Sequence, residues 1–233
     1  MDNLVKYIAS AGISSRRQAG EIIRSGRVAV NGEVTFNPAH RVAPGEVVTC
    51  DGKIVLPAGK KWYILLHKPR GYVCSNADIH AEKLAVDLLK TVPARLVSAG
   101  RLDKDSEGAI IFSNDGEFIN LLAHPRYGVL KTYRVFTDKP LSENDLRRME
   151  QGIDDQGENL KIESGILTGK NCCELILNEG KKREIRRLTA ACGAVTLRLI
   201  RFRIGSVALG DLPPGEFREL LPEEVADLRR AAG

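Results

Sequence analysis

Membrane-length apolar runs, an export leader, paired zinc-type cysteines and internal repeats are all missing from this chain of 233 residues. No apolar stretch approaches the roughly 20 residues that cross a bilayer, so no membrane partner is expected. The opening Met-Asp-Asn-Leu-Val-Lys has no basic stretch leading into an apolar one, and it does not read as a secretory signal. The five cysteines, Cys50, Cys74, Cys172, Cys173 and Cys192, include no Cys-x-x-Cys pair, which argues against a zinc knuckle or a dithiol redox motif. An odd count without a leader predicts free thiols in a reducing cytoplasm. Histidine is scarce: His40, His67, His80 and His124 are the whole set. Their spacing suggests no metal ligands, and no metal site is expected.

What is present is a globular composition, 43% hydrophobic and 28% charged, at a length that suits one large domain with a small companion. The formal net charge is +5, and its distribution says more than its size. Basic residues gather at Arg16 to Arg27, Lys181 to Arg187 and Arg198 to Arg203, with an acidic stretch around Asp138 to Glu163 between the first cluster and the other two. One such cluster fits a solvated helix face as well as a phosphate backbone. Three together favour nucleic acid as the partner.

The first segment reads as two short helices and a hairpin. Leu4, Val5 and Ile8 make a helical stripe that Gly12 ends, and Ser15 with Gln18 has capping-box spacing. Ala19, Ile22 and Ile23 form the stripe of the second helix, Gly26 is a left-handed stop, and Asn31-Gly32 is a hairpin turn signal. Arg16, Arg17, Arg24 and Arg27 fall largely off the apolar stripe. Leu56-Pro-Ala-Gly-Lys-Lys61 interrupts the pattern as a linker. From Trp62 onward, strands are expected at Trp62 to Leu66, Ala109 to Phe112, Lys131 to Thr137, Cys172 to Leu177 and Val195 to Ile204. Lys83 to Leu89 looks helical. Many strands with few helices predict an α+β fold rather than a βαβ repeat.

Two motifs carry chemical promise. In Gly100-Arg-Leu-Asp-Lys-Asp-Ser-Glu-Gly108 a carboxylate, Asp103, sits in a glycine-bracketed loop just before an apolar strand. That is where a reactive group on a rigid support would sit, although Asp is also a common turn former. In Asn178-Glu-Gly-Lys-Lys-Arg-Glu-Ile-Arg-Arg-Leu188 a helix starting near Arg183 has Ile185, Leu188, Thr189 and Cys192 as its core stripe. At about 100° per residue, Arg186 lies at the edge of that stripe and Arg187 opposite it. Arg186 can thus reach inward to a carboxylate while Arg187 faces solvent or RNA. The planar guanidinium fork suits either carboxylate or phosphate.

Residues Leu4 to Ile8, Ser14-Ser-Arg-Arg17, Gly26-Arg-Val28 and Val30-Asn-Gly32 resemble the S4 RNA-binding domain. Further on, His67-Lys-Pro-Arg-Gly71, Gly100-Arg-Leu-Asp103, Ser113-Asn-Asp-Gly116, Lys131-Thr-Tyr133, Glu179 to Leu188, Arg203-Ile-Gly205 and Leu212-Pro-Pro-Gly-Glu216 occur in order. Together they resemble the family of small-subunit ribosomal pseudouridine synthases of the A type, which also includes large-subunit enzymes. His67 departs from the asparagine more usual there. The resemblance implies a small S4 (α-L) domain at 1–56, a linker at 57–61 and a catalytic domain at 62–233 with a mixed, mainly antiparallel sheet flanked by helices. It implies Asp103 as catalytic aspartate, Tyr133 as the ring against the target base, and Arg186 as the partner of Asp103. Such an enzyme isomerises one uridine or a few in ribosomal RNA. The Ser14-Ser-Arg-Arg17 form points to the 23S molecule, with 16S the alternative, and a non-catalytic ribosome-assembly protein on the same fold is the rival class. Isomerisation needs no cofactor. RNA contacts are expected from Arg16, Arg17, Arg24, Arg27, Lys68, Arg101, Lys181, Lys182, Arg183, Arg187, Arg201 and Arg203. The expected setting is a cytoplasmic monomer acting on ribosomal RNA or an assembly intermediate.

Overall fold

The computed structural model describes residues 2–56, 59–75 and 82–231. Pro57 and Ala58 of the expected linker, His80, and the last two residues of the expected catalytic domain lie outside them. The chain divides into two compact units. One is Met1–Trp62 with Pro93–Arg95 and Asn114–Gly116, and the other is the remainder.

In the small unit, helices Leu4–Ser10 and Arg16–Arg24 precede a four-stranded sheet ordered Glu33–Val34, Val28–Val30, Val48–Cys50, Lys53–Ile54. Ser15 and Gln18 form the reciprocal cap, with Gln18 N donating to Ser15 Oγ at 3.3 Å and Ser15 N to Gln18 Oε1 at 3.1 Å. Such a cap contributes about 1 kcal/mol by satisfying amides the helix cannot reach. Asn31 and Gly32 both take positive φ, 52° and 87°, the signature of a type I′ hairpin turn. Leu4, Ile8, Ala19, Ile23, Val28 and Val48 are fully buried between helices and sheet. This is the helical stripe meeting the inward face of the strands.

The large unit is built on one nine-stranded sheet. Seven strands run in the order Ser164–Gly169, Cys172–Leu177, Lys131–Thr137, Thr196–Ile204, Glu107–Ser113, Tyr63–Lys68, Phe217–Glu219; Val207–Ala208 and Val97–Ser98 pair alongside. Every pairing is antiparallel except that of Thr196–Ile204 with Glu107–Ser113. The fold is therefore α+β with a mixed, mainly antiparallel sheet. Helices Gly116–Ala123 and Pro222–Arg230 bury Phe118, Leu122, Val225 and Leu228 against Leu65, Ile111 and Ile204. Helix Glu143–Gln151 packs Leu146 over Gly165 of the edge strand. The expected helix at 83–89 is instead a 3₁₀ segment, Ala85–Leu89. At five residues the segment is too short for the cooperative turns an α-helix needs. Among the described residues no helix is long and apolar enough to cross a membrane.

Candidate active site

Strand Glu107–Ser113 is buried along its whole length, and the Gly100-to-Ser106 loop leads into it. That loop is tied down at several points. Ser106 N donates to Asp103 O at 3.1 Å, Gly71 N to Lys104 O at 2.7 Å, and Leu102 N meets Cys74 Sγ at 3.4 Å. At the start of the strand, Gly108 has φ +113° and pairs in parallel with Arg201. A β-carbon there would lie 2.2 Å from the Arg201 carbonyl oxygen, so only glycine lets the two strands meet. Asp103 is left half-exposed at the rim of a cavity of about 540 Å³, a volume in the range of small-ligand sites. Tyr133, Cys74, Ser106, Leu199 and Arg186 also line it.

Tyr133 reaches the cavity from the interior strand Lys131–Thr137, opposite Leu175 on one side and Arg201 on the other. It is only 8% exposed. The Arg201 guanidinium stands 6.0 Å from its ring centroid and donates through Nε to Ala109 O at 2.7 Å. Arg201 is itself buried, at 4% exposure. It thus joins the ring of Tyr133 to the strand behind Asp103. Two residues before Tyr133, Lys131 donates to Asn178 O at 3.2 Å. Burial, with the charge of Arg201 added, pulls its ammonium down to about 8.

The basic helix closes the site. Arg183, directly before helix Glu184–Ala191, adopts a left-handed conformation with φ 53°. Ile185, Leu188 and Thr189 are buried as the stripe predicts. Arg186 turns inward, its side chain 11% exposed, but its direct ion-pair partner is Asp105 at 3.0 Å. Arg183 also grips Asp105, at 3.3 Å, and reaches Asp103 at 3.9 Å. The expected Arg186–Asp103 pair is therefore replaced by a shared one. Arg186 Nη1 is held by Thr196 O at 2.9 Å, which sets its reach toward residue 105. Burial lowers the Arg186 guanidinium from its ordinary value, and the Asp105 charge counters that shift. Burial pushes the Asp105 carboxyl up, but the Arg183 hydrogen bond and the two arginine charges outweigh it and leave it below the usual range.

Several expected RNA contacts have other duties. Lys68 is fully buried, and its Nζ donates to Pro69 O and Tyr72 O, both at 2.9 Å. Burial lowers its pKa, and it organises the turn at 69–72 rather than meeting phosphate. Arg201 is ruled out by its burial. Arg187 pairs with Asp155 and Glu158 of a two-stranded hairpin, because the helix face opposite the core is covered there. Lys181 pairs with Glu179 at 2.5 Å, and Arg27 with Asp51 at 2.6 Å. Arg16, Arg17, Arg24, Arg101, Lys182, Arg183 and Arg203 are exposed. Asp105 and Ser106 are the site residues that sequence reasoning passed over. The signal for Asp105 was a second acid two positions after Asp103, in a chain whose other motif carries Lys181-Lys182-Arg183 and Arg186-Arg187.

A carboxylate, an aromatic ring and two guanidinium groups thus line one cavity, a set able to pack against a flat ring and to hold negative charge. The sequence pattern of the RNA pseudouridylate synthase family matches residues 62–191, and that of the S4 domain residues 3–48. The chain belongs to the RNA pseudouridylate synthase family and carries an S4 domain. An uncharacterised RNA pseudouridine synthase of Aquifex aeolicus is 39% identical, covering 98% of this chain and 94% of its own length. The ribosomal large subunit pseudouridine synthase B of Bacillus subtilis is 34% identical (100% and 97%), and the ribosomal small subunit pseudouridine synthase A of Escherichia coli K12 is 33% identical (97% and 99%). The crystal structure of a pseudouridylate synthase superposes with a TM-score of 0.72 at 29% identity, covering 98% of this chain and all of the other.

Proposed function

We propose that this protein isomerises one uridine, or a few neighbouring ones, in ribosomal RNA to pseudouridine, as a cytoplasmic monomer, with Asp103 as the reacting carboxylate. The observation that carries this reading is the meeting of half-exposed Asp103, the Tyr133 ring and the two arginines at one cavity. The reaction breaks the C1′–N1 bond, turns the uracil and joins C1′ to C5. The C5 proton leaves and N1 gains one, so atoms and electrons balance without any co-reactant. An ionised Asp103 serves by attacking C1′, or by taking the C2′ proton to give a glycal. The target base must leave its stack at a cost of a few kcal/mol. Packing against Tyr133 and contacts from exposed cations to the backbone offset that cost. The S4 domain supplies further grip through phosphates, with Arg16, Arg17 and Arg24 as its exposed cations.

We assign 23S RNA as the substrate from the Ser14-Ser-Arg-Arg17 form of the S4 segment. The relatives are named for both ribosomal subunits, so the experiment offers both RNAs. Tritium release from 16S and 23S RNA labelled at uracil C5 is the measurement, with the wild type and Asp103→Asn. The wild type should release tritium from 23S RNA, and the variant about a thousandfold more slowly or less. Release from 16S RNA alone would overturn the choice of 23S. RNA binding without release, or equal release by both proteins, would overturn the catalytic role.

A further inference from the structure

A second hollow, of about 490 Å³, adjoins the cavity that holds Tyr133, and the two share Asp103, Lys104 and Arg183. Arg70, Gly71 and Asp105 complete its lining. Gly71 takes φ +88° to turn the chain, and its N–H donates to Lys104 O at 2.7 Å. That bond fastens the turn after strand Tyr63–Lys68 to the Asp103 loop and brings Arg70 and Lys104 to adjoining positions. Buried Lys68 holds the same turn from within through Pro69 O and Tyr72 O. Of the three cations around the hollow, Arg183 is engaged with Asp105 at 3.3 Å. Arg70 and Lys104 are exposed, and among the described residues neither side chain has an ion-pair partner. Burial, Arg183 and Arg70 together lower the Arg186 guanidinium, so the charge of Arg70 is felt at the site. Unpaired cations gathered in one place repel each other, and an anion set among them removes that cost.

We infer that Arg70 and Lys104 form a phosphate-binding subsite that grips the RNA backbone beside the target nucleotide. The inference rests on the pseudouridine synthase reading above. The carbon that reacts, C1′, must come to the Asp103 carboxylate, and the same ribose carries phosphodiesters through C3′ and C5′. With the base in the cavity beside Tyr133, the backbone leaves the ribose at Asp103, where the second hollow begins. Arginine there forks onto two phosphate oxygens, and lysine meets them as a point charge. Asp103 and Asp105 repel a phosphate brought so near, and the two cations offset that repulsion. Contacts of this kind fix the register of the strand without reading a base. The pair therefore decides how the chain lies across the site, while the cavity holds the uracil.

The test compares the full-length wild type with Arg70→Met, Lys104→Met and the double variant. Lys170→Met is the control, an exposed cation in the turn between strands Ser164–Gly169 and Cys172–Leu177. Methionine keeps an apolar stem and both positions are exposed, so the fold is kept, and thermal melting checks this. The first measurement is binding, across a salt series, of the ribosomal RNA that the wild type modifies. The slope of log affinity against log salt should flatten by about 0.7 for each cation and about 1.4 for the double variant. Lys170→Met should leave it unchanged. In tritium release the double variant should raise KM about tenfold and keep kcat within about threefold, as for a contact made equally before and in the transition state. A short RNA around the modified uridine then locates the contact. An uncharged methylphosphonate in place of the phosphodiester on one side of that uridine should weaken wild-type binding about tenfold and the double variant under about twofold. An unchanged slope, a slope change matched by Lys170→Met, or equal methylphosphonate losses in both proteins would each overturn the inference. If the wild type releases no tritium from either RNA, the functional reading fails on its own. The salt slope on 23S RNA then decides the subsite, a flatter one in the double variant supporting it and an unchanged one overturning it.

Discussion

The main chain of Arg201 runs so close to Gly108 that the carbonyl oxygen of the one occupies the space a side chain on the other would need. This contact is the sole parallel pairing in the large sheet, and it sets the loop of Asp103 against the strand next to Tyr133. Gly108→Ala should therefore destabilise by at least about 3 kcal/mol, combining a backbone clash with a φ that alanine resists. Chemical denaturation measures the loss. A variant melting like the wild type would show that the strands part without harm.

Arg201 and Arg203 lie two residues apart on one strand yet should behave differently. Arg203 is exposed, and Arg203→Met should flatten the salt dependence of RNA binding by about 0.7–0.9 if it meets a phosphate. Arg201 is buried under Tyr133. Arg201→Met should leave the salt slope alone while costing about 2–4 kcal/mol of stability, since it strands a buried carbonyl and removes packing. Equal salt effects for the two variants would contradict the assignment.

Lys131 predicts a pH effect on stability. Its folded pKa of about 8 lies below the ordinary 10.5, so between these values the unfolded chain binds more protons. Stability then rises with pH across that window. Below pH 8 the folded protein bears the cost of a half-buried ammonium, and this cost lifts as the group loses its proton. Lys131→Met removes the effect. The wild type should gain on it by about 2 kcal/mol between pH 7 and 9.5, measured by denaturant unfolding at each pH. A constant difference would refute it.

In the small unit, Arg16 and Arg17 open a helix and are exposed, Arg17 lying 3.6 Å from Glu21. The double change to alanine should weaken RNA binding and flatten its salt slope by about 1.5–2, leaving the melting temperature within a few degrees. Titrations at several salt concentrations check this, and an unchanged slope would remove the docking role.

Local signals in the sequence carried much of the fold. The Ser15–Gln18 cap, the Asn31-Gly32 turn and the bounds of Lys131–Thr137 and Cys172–Leu177 all follow from short-range chemistry, and the structure has each of them. The inward turn of Arg186 was legible from helical spacing. Its choice of Asp105 over Asp103 was not, because both acids lie in one loop and only the reach set by Thr196 O separates them. Burial of Lys68 and Arg201 was equally hidden. Both carry charge in segments that also look like phosphate contacts, and only the sheet order places them inside.

The parallel pairing also bears on how the protein comes into being. Arg201 Nε and Ala109 O are joined across 92 positions, and Arg183 meets Asp105 across 78. Asp103 therefore emerges from the ribosome well before the residues that frame it, and the cavity takes shape only once the chain has been made as far as Leu199. Closing so long a loop costs entropy before any contact repays it, so refolding should be slow, on the millisecond-to-second scale of chains with many distant pairings.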